Sequence, residues 1–329
     1  MTQYEVVGIG NAVVDVISHA NDAFLGEMNI EKGIMQLIER DRAEDLYGAM
    51  QDRLQTPGGS VANTIAGIGA LGLPTAFIGR VKDDDLGQFY AKSMIDGGTD
   101  FVNAPVAGGD LPTSRSMIFV SPDGERSMNT YLGISTDLGP DDVPEAVTSA
   151  AKIIFLEGYL FDKDQGKQAF LEASRQVRAA GGKAGIAISD PFCVNRHRDD
   201  FIRMIRDELD YVIGNEAEIR SLFETDDLED ALAQTAAMCG TVVCTRSGDG
   251  VTLIRDGERV DVPVTKITPV DATGAGDQFA AGFLYGMATG RDLETCGKMG
   301  NVCAAEVISH VGPRPEVDIM ALFKAQGLV

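Results

Sequence analysis

The sequence lacks any apolar run that approaches the roughly 18 residues needed to cross a bilayer. Its first residues, MTQYEVVGIGNAVVDV, have no basic segment followed by a separate apolar one, so no secretory signal is visible. These two absences predict a cytoplasmic protein that makes no contact with a membrane.

Cysteine and histidine are also sparse. Three histidines lie far apart, and the five cysteines form no CxxC pair and no metal-site spacing. We therefore expect reduced, mostly buried thiols and no zinc site.

Basic residues are few, since 28 Lys and Arg face 50 Asp and Glu for a formal net charge of -22. A surface that binds nucleic acid needs basic patches, so this charge argues against such a partner. A polyphosphate would also be repelled by the overall field. A site for it must be built locally, from backbone amides, a few arginines and a divalent cation.

Two familiar nucleotide-binding loops are absent. No GxxxxGK[ST] sequence occurs anywhere, which excludes that phosphate-binding design. The segment GIGNAVVD has Gly8 and Gly10, but Val13 stands where a dinucleotide fingerprint has its third glycine. A nicotinamide-dependent dehydrogenase is therefore only a weak alternative.

What the chain does have is an alternation of strand-like and helical segments. Short apolar runs such as TAFIGRV, KIIFLEGY, DYVIGNE and TVVCTRS are separated by amphipathic stretches such as DQGKQAFLEASRQVRAAG. Apolar strands separated by helices are typical of a parallel sheet covered on both faces. We predict an α/β fold with a doubly wound, mostly parallel sheet and helices on both faces, in a single domain over residues 1–329.

One region breaks this alternation. Residues 113–133 contain two strand-like segments around SPDGE, a turn sequence that favours a hairpin. With the NIEKGIMQLIE stretch they predict a small sheet set apart from the main one, serving as a lid built from about residues 12–42 and 98–134. An ordinary surface hairpin is the alternative.

Three loops that contain glycine or asparagine lie at the ends of predicted strands or at the start of a predicted helix. GGSVAN starts a helix, with Ser60 as its cap and Asn63 facing a ligand one turn further on. NEAE follows a strand, and Asn215 and Glu218 either hold water around a magnesium ion or form a capping pair. TRSGDG either admits a nucleotide or turns a hairpin. The carboxyl edge of an open α/β sheet is where ligands bind.

The most informative run is DATGAGD. Gly274, Ala275 and Gly276 place backbone amides without large side chains at the start of a helix, and such a nest of N–H groups binds anions. The anion is either the capping carboxylate of Asp277 itself or a phosphate from outside. The sequence of this run leaves both possibilities open.

These motifs together resemble the ribokinase-like (PfkB) carbohydrate and nucleoside kinases. DATGAGD is similar to the family's D-T-x-G-A-G-D signature, GGSVAN to its N-terminal signature and NEAE to its N-x-x-E magnesium motif. The resemblance implies that Asp277 is the catalytic base and that the amides of residues 274–276 form the anion hole. Phosphoryl transfer depends mainly on positioning and charge stabilisation, which agrees with this assignment.

The resemblance also implies the co-substrate site. TRSGDG is similar to the family's nucleotide-binding loop, and GNVCAAEVI to the helix that lines the adenine pocket. It assigns ATP to Asn215, Thr245, Ser247, Gly248, Gly250 and Asn301. Magnesium is assigned through water to Asn215 and Glu218, and a monovalent cation such as potassium to Asp271 and Thr273.

Within the family the closer likeness is to adenosine kinases. GNAVVD resembles their opening motif, GERSMNTY their lid strand and SDPF their S-A-P-F segment, in which the Phe stacks on the purine. This likeness implies that substrate binds to Asn11, Asp15, Gly59, Asn63, Arg126 and Phe192. A phenylalanine buried in the core beside Pro191 is the structural alternative for Phe192.

The resemblance thus predicts an ATP-dependent kinase that phosphorylates the 5′-hydroxyl of a nucleoside, adenosine before others. The alternatives are a sugar kinase of the ribose or fructose type, an inosine or guanosine kinase, and a non-catalytic nucleotide-binding module. The expected partner is this small-molecule substrate, and the expected assembly is a monomer or a homodimer.

Overall fold

The computed structural model describes residues 3–329 as an alternation of strands and helices. The strands are β1 (Tyr4–Ile9), β2 (Val13–His19), β3 (Met35–Leu37), β4 (Leu54–Gly58), β5 (Thr75–Ile78), β6 (Thr99–Phe101), β7 (Ser114–Val120), β8 (Arg126–Tyr131), β9 (Ala151–Glu157), β10 (Lys183–Ala187), β11 (Tyr211–Asn215), β12 (Thr241–Thr245), β13 (Val251–Arg255) and β14 (Glu258–Val262). The helices are α1 (Asp22–Glu27), α2 (Arg40–Ala49), α3 (Ser60–Ala70), α4 (Asp85–Asp96), α5 (Glu145–Thr148), α6 (Asp164–Ala179), α7 (Pro191–Glu208), α8 (Glu216–Phe223), α9 (Leu228–Met238), α10 (Ala275–Ala288), α11 (Leu293–Val307) and α12 (Ile319–Ala325).

The larger sheet has nine strands in the order β14-β13-β12-β11-β10-β9-β1-β5-β6. Neighbours from β12 to β6 pair in parallel, whereas β12, β13 and β14 form an antiparallel edge. The prediction of a mostly parallel, doubly wound α/β sheet is thus confirmed.

Successive side chains of a strand point to opposite sides of the sheet, and helices cover both sides here. In β1, Val6 packs with residues of α3, α4 and α10 on one face, while Val7 and Ile9 pack with residues of α6, α7 and α8 on the other. This two-sided burial explains why the strands have continuous apolar sequences rather than alternating ones.

The smaller sheet has five strands in the order β3-β8-β7-β2-β4. It differs from the expected segments in two places. Leu54–Gly58 adds an edge strand that lies outside them, and Thr99–Phe101, inside the second segment, pairs with β5 of the large sheet instead. Pro57 is tolerated in β4 because this strand pairs on one side only.

No helix among residues 3–329 is both long enough and apolar enough to cross a membrane. All five cysteines are buried as free thiols.

Candidate active site

Helix α10 begins after a loop whose last position can be occupied only by glycine. Its N-cap residue Gly274 has a φ of 79°, in the left-handed region, and a Cβ there would lie 2.6 Å from the Cα of Pro313. At Gly276 a Cβ would meet nothing within 4 Å, so this position of the first turn faces open space.

The backbone amides of this turn are not equivalent. The N–H of Ala275 donates to the carbonyl of Ala272 at 3.2 Å, whereas in the described chain the amides of Gly274 and Gly276 donate to no backbone acceptor. Free N–H groups at a helix N-terminus attract an anion, and the helix dipole adds to this attraction. Two of the three expected donors are therefore available, and the third is engaged within the loop.

The carboxylate of Asp277 does not cap its own helix but contacts α3. Ser60 donates to its Oδ1 at 2.6 Å, and the Nδ2 of Asn63 donates to its Oδ2 at 3.1 Å. Burial raises the pKa of Asp277 to about 6, although these two bonds and the charge of Arg314 lower it. The group is thus ionised at neutral pH and remains basic enough to accept a proton.

Ser60 differs from its predicted role. The N-cap of α3 is Gly59, with a φ of 100°, and Ser60 is the first helical residue. A Cβ at Gly59 would lie 2.2 Å from the carbonyl oxygen of Asn11, so only glycine permits this approach. The hydroxyl of Ser60 is thereby free to bond Asp277.

A cleft of about 570 Å³ lies between the small sheet and the carboxyl ends of the large sheet. Five of the six expected substrate residues line it: Asn11, Asp15, Gly59, Asn63 and Phe192. Apolar side chains of the small sheet, including Met35, Leu37 and Met128, share the lining. The cleft therefore has an apolar part and, at Asp15 and Asp277, an acidic part.

Phe192 is not a core residue, because 76% of its surface is exposed. It follows Pro191 in the first turn of α7, which Asp190 caps by accepting from the N–H of Cys193 at 2.7 Å. Ser189 holds a φ of 82°, unusual for a residue with a side chain, just before this turn. The alternative of a buried phenylalanine is excluded.

Asn11 and Asp15 are held differently. The amide of Asn11 is engaged at both ends, donating to Glu157 at 2.8 Å and accepting from the Ser135 hydroxyl at 2.9 Å. Burial raises the pKa of Asp15 to about 7, against the charges of Arg126 and Arg314. Asp15 lines the cleft, where its carboxyl faces a ligand, whereas Asn11 is held by Glu157 and Ser135 and supports the floor of the cleft.

Arg126 is the expected substrate residue that does not line the cleft. Its guanidinium donates to Oδ2 of Asp271 at 3.0 Å, and its Nε and Nη2 are buried without a partner. Asp271 also accepts from the amides of Thr273 and Gly312. Burial would raise the pKa of Asp271, but these bonds and the charge of Arg126 hold it below its ordinary value.

The predicted monovalent-cation site does not fit this arrangement. The carboxylate of Asp271 already has a buried cation, the Arg126 guanidinium, as its partner. Asp271 instead joins the small sheet to the loop that precedes α10.

Asn215 and Glu218 form a reciprocal capping box at the start of α8. Asn215 accepts from the amide of Glu218 at 3.0 Å, and Glu218 accepts from the backbone N–H and the Nδ2 of Asn215. Burial raises the pKa of Glu218 to about 7, and no basic side chain contributes to lowering it. A desolvated carboxyl without a cationic partner is chemically suited to a hydrated divalent ion. Among residues 3–329 no cluster of three or more His, Cys, Asp or Glu offers a direct metal site.

The remaining residues expected to bind nucleotide lie at the end of β12, in the turn that follows it and on α11. Thr245 ends β12, Ser247 and Gly248 lie in the following turn, and Gly250 opens the hairpin into β13. Gly250 has a φ of 89°, and a Cβ there would lie 2.1 Å from the carbonyl oxygen of Val262. Asn301 donates to the carbonyls of Val262 and Pro263. These residues do not line the cleft that contains Phe192.

Sequence reasoning missed two residues. Glu157, at the end of β9, is 1% exposed and accepts from the amides of Asn11 and Val61 and from the Asn11 side chain. Burial raises its pKa to about 7 despite these bonds. Arg314 donates to Oδ1 of Asn63 at 3.3 Å. In the sequence, Glu157 stands out only as a charged residue in an apolar strand. Arg314 stands out only as a charged residue between two prolines.

Comparison with known proteins identifies the family of this chain. Residues 23–320 match the pfkB family carbohydrate kinase. A probable sugar kinase from Rhizobium etli CFN 42 has 43% sequence identity and a TM-score of 0.91 over 100% of both chains. The adenosine kinase from Sinorhizobium meliloti has 43% identity and a TM-score of 0.89 over 98% of this chain and 99% of its own.

A curated relative has a different acceptor in its name. The 5-dehydro-2-deoxygluconokinase of Shouchella clausii (strain KSM-K16) is 27% identical over 338 residues, covering 98% of this chain and 95% of its own. Structural neighbours thus include both adenosine and sugar kinases. Since the family match spans residues 23–320, the chain belongs to the pfkB family of carbohydrate kinases.

Proposed function

We propose that this protein is an ATP-dependent kinase that phosphorylates the 5′-hydroxyl of a nucleoside, and adenosine before others. The observation that carries the proposal is the exposed ring of Phe192 in a cleft shared with Met35, Leu37 and Met128. A flat apolar wall suits a purine base, whereas a free sugar needs only hydroxyl-binding groups. The likeness to the Sinorhizobium meliloti adenosine kinase supports the same choice.

On this proposal Asp277 is the catalytic base. Its ionised carboxylate, oriented by Ser60 and Asn63, takes the proton of the attacking hydroxyl. The amides of Gly274 and Gly276, at the positive end of α10, stabilise the charge on the transferred phosphoryl group. Ala275 contributes once its bond to Ala272 opens. The carboxyl of Asp15 holds ribose hydroxyls.

The co-substrate would lie along the loops after β11 and β12, with Asn301 beside its base. Glu218, with Asn215, would hold a magnesium ion through water, and this ion would neutralise charge on the phosphates. The small sheet would close as a lid, with Arg126 brought near the phosphates. Closure excludes water, and this strengthens the attraction between the local dipoles and the phosphates of ATP. That attraction offsets the repulsion of the phosphates by a chain whose net charge is -22.

The experiment that tests the nucleoside assignment is Phe192→Ala. Base–aromatic stacking is worth about 1–3 kcal/mol by alanine substitution in nucleic-acid sites, so kcat/KM for adenosine should fall about ten- to a hundredfold. Turnover of ribose, which has no base, should change little. Because Phe192 is largely exposed, the variant should keep its thermal stability.

Ile95→Ala on α4 is the matched control, since Ile95 is 56% exposed and does not line the cleft. An equal loss for adenosine and ribose in Phe192→Ala would contradict stacking on a base. A wild-type preference for 5-dehydro-2-deoxygluconate over adenosine would favour the sugar-acid kinase instead.

A further inference from the structure

Arg314 lies in the segment between α11 and α12, outside every motif of the family signature. Its neighbour Pro313 accepts from the side chain of Gln278, which also donates to the carbonyl of Asn63. Gln278 is 1% exposed and directly follows Asp277. The segment that carries Arg314 is therefore fixed to both helices that form the acidic part of the cleft.

The hydrogen bonds of Arg314 determine how Asn63 is oriented. A guanidinium only donates, so its bond at 3.3 Å requires the carbonyl oxygen of the Asn63 side chain. The amide nitrogen of Asn63 must then point the other way, where it donates to Asp277 at 3.1 Å. A flipped Asn63 would place its carbonyl oxygen against the carboxylate of Asp277. Arg314 thus excludes the orientation that repels the base.

We propose that Arg314 is a positioning residue, which holds the Asp277 carboxylate for catalysis through the side-chain amide of Asn63. The inference rests on the proposed role of Asp277 as the base. It also changes the expected role of Asn63, whose amide is occupied at both ends by Arg314 and Asp277.

The same cation also contributes to the electrostatics of the cleft. The charge of Arg314 lowers the pKa of Asp277 and of Asp15, both of which burial raises. The groups around Asp277 on other elements are Ser60 and Asn63 on α3, Asp15 on β2, Glu157 on β9, Tyr159 after β9 and Arg314 itself. Arg314 is the only cation whose charge acts on Asp277 in this set.

Arg314→Met removes both the hydrogen bond and the charge. An opposite charge close to a carboxylate lowers its pKa by about 1–3 units, so the pKa of Asp277 should rise by about one unit in this variant. The acidic limb of the kcat/KM profile should move to higher pH by the same amount. Through ionisation alone, activity should therefore fall about fivefold at pH 6, and this loss should largely disappear at pH 8.

Arg314→Lys keeps the charge but loses the planar fork that reaches Asn63. It should keep the acidic limb near its wild-type position while kcat falls at every pH. Arg198→Met is the matched control, because Arg198 is a half-buried arginine that binds the carbonyl of Ser221 and Glu224, away from the cleft. It should leave kcat and the pH profile unchanged.

The decisive measurement is an NMR pH titration of the ligand-free protein labelled with ¹³C at aspartate carboxyls. The Asp277 resonance is assigned by its loss in Asp277→Asn. An upward shift in Arg314→Met, absent in Arg198→Met, supports the proposal. If the Met variant does not fold, the proposal is tested by the Lys variant, whose kcat should fall at every pH while its acidic limb stays in place. An unchanged Asp277 titration, or a Lys variant with wild-type kcat, overturns it. Because the titration needs no turnover, a failure of the adenosine assignment is recognised separately, by the absence of nucleoside phosphorylation.

Discussion

At the scale of single residues, the carboxyl of Asp277 is subject to opposing influences. Burial raises its pKa to about 6, while hydrogen bonds from Ser60 and Asn63 and the charge of Arg314 lower it. The balance leaves the group mostly ionised near pH 7 and protonated below about pH 6. A base with this pKa matches a reaction that runs at neutral pH.

Asp277→Asn should abolish most activity and leave the fold intact. The amide oxygen can accept from Asn63, and the amide nitrogen can donate to the Ser60 hydroxyl, so both contacts survive. Loss of a general base typically costs about 10²- to 10⁴-fold in rate. Steady-state kinetics with adenosine and a thermal melt measure the two effects.

Asp318→Asn is the control for this substitution, because Asp318 caps α12 and asparagine caps almost equally well. It should change neither rate nor stability. Near-normal turnover by Asp277→Asn, with unchanged affinity for adenosine, would remove Asp277 from the role of base.

Some residues of the site could be predicted from sequence, and others could not. DATGAGD and GGSVAN carry local signals, glycines at positive φ and a polar residue at a helix start, and the structure brings Asp277 and Asn63 into contact. Glu157 and Arg314 carry no local signal. Each contacts residues that are far away in sequence. Their roles can be recognised only in the folded structure, which brings β9 and the segment before α12 to the cleft.

At the scale of secondary-structure elements, the same limit applies to the small sheet. The hairpin of β7 and β8 was predicted from its turn sequence. The sequence LQTPG of β4 contains proline and no clear alternation, and its strand conformation depends on pairing with β2. Its place in the small sheet could not be read from local propensity.

The start of α8 allows a test of the magnesium proposal. Glu218→Gln keeps an oxygen that accepts from the amide of Asn215 but removes the anionic anchor for a water-held ion. We expect a higher magnesium concentration for half-maximal activity. Asp227→Asn, which preserves the cap of the next helix α9, is the control. If only the melting temperature falls and the magnesium dependence stays the same, the pair serves α8 alone.

The small sheet should behave as a lid. Residues 113–133 include β7 and β8, and side chains of this sheet line the cleft beside Phe192. Adenosine with a non-hydrolysable ATP analogue should slow amide hydrogen exchange in these strands, as closure protects their backbone. Exchange in α6, which does not line the cleft, should not change. Equal exchange in β7 and β8 with and without ligands would identify a passive hairpin.

At the scale of the whole molecule, acidic groups dominate both the surface and the cleft. The net charge is -22, and burial raises the pKa of Asp15, Glu157 and Glu218 to about 7. A carboxyl whose pKa is raised by folding binds more protons in the native state than in the unfolded one. Its contribution to stability is full below the unfolded pKa and is lost as pH rises through the folded pKa.

The free energy of unfolding should therefore decrease between about pH 4.5 and pH 7. Urea denaturation at several pH values measures this slope. Glu157→Gln should flatten it and, because a carboxamide replaces one acceptor oxygen by a donor, should lower stability overall by about 1–3 kcal/mol. Glu258→Gln, at an exposed position of β14, should leave the slope as it is. If the free energy of unfolding rises over this range instead, the buried carboxyls do not determine how stability depends on pH.

The activity proposed for this protein is transfer of a phosphoryl group from ATP to the 5′-hydroxyl of a nucleoside. It is tested most directly by comparing kcat/KM for adenosine, inosine, ribose, fructose and 5-dehydro-2-deoxygluconate with MgATP, and by identifying the phosphorylated product. We predict the highest kcat/KM for adenosine, with AMP as the product and with this activity lost in Asp277→Asn. A higher kcat/KM for a sugar or sugar acid would contradict the nucleoside assignment. If no acceptor is phosphorylated at all, the proposal of kinase activity is contradicted.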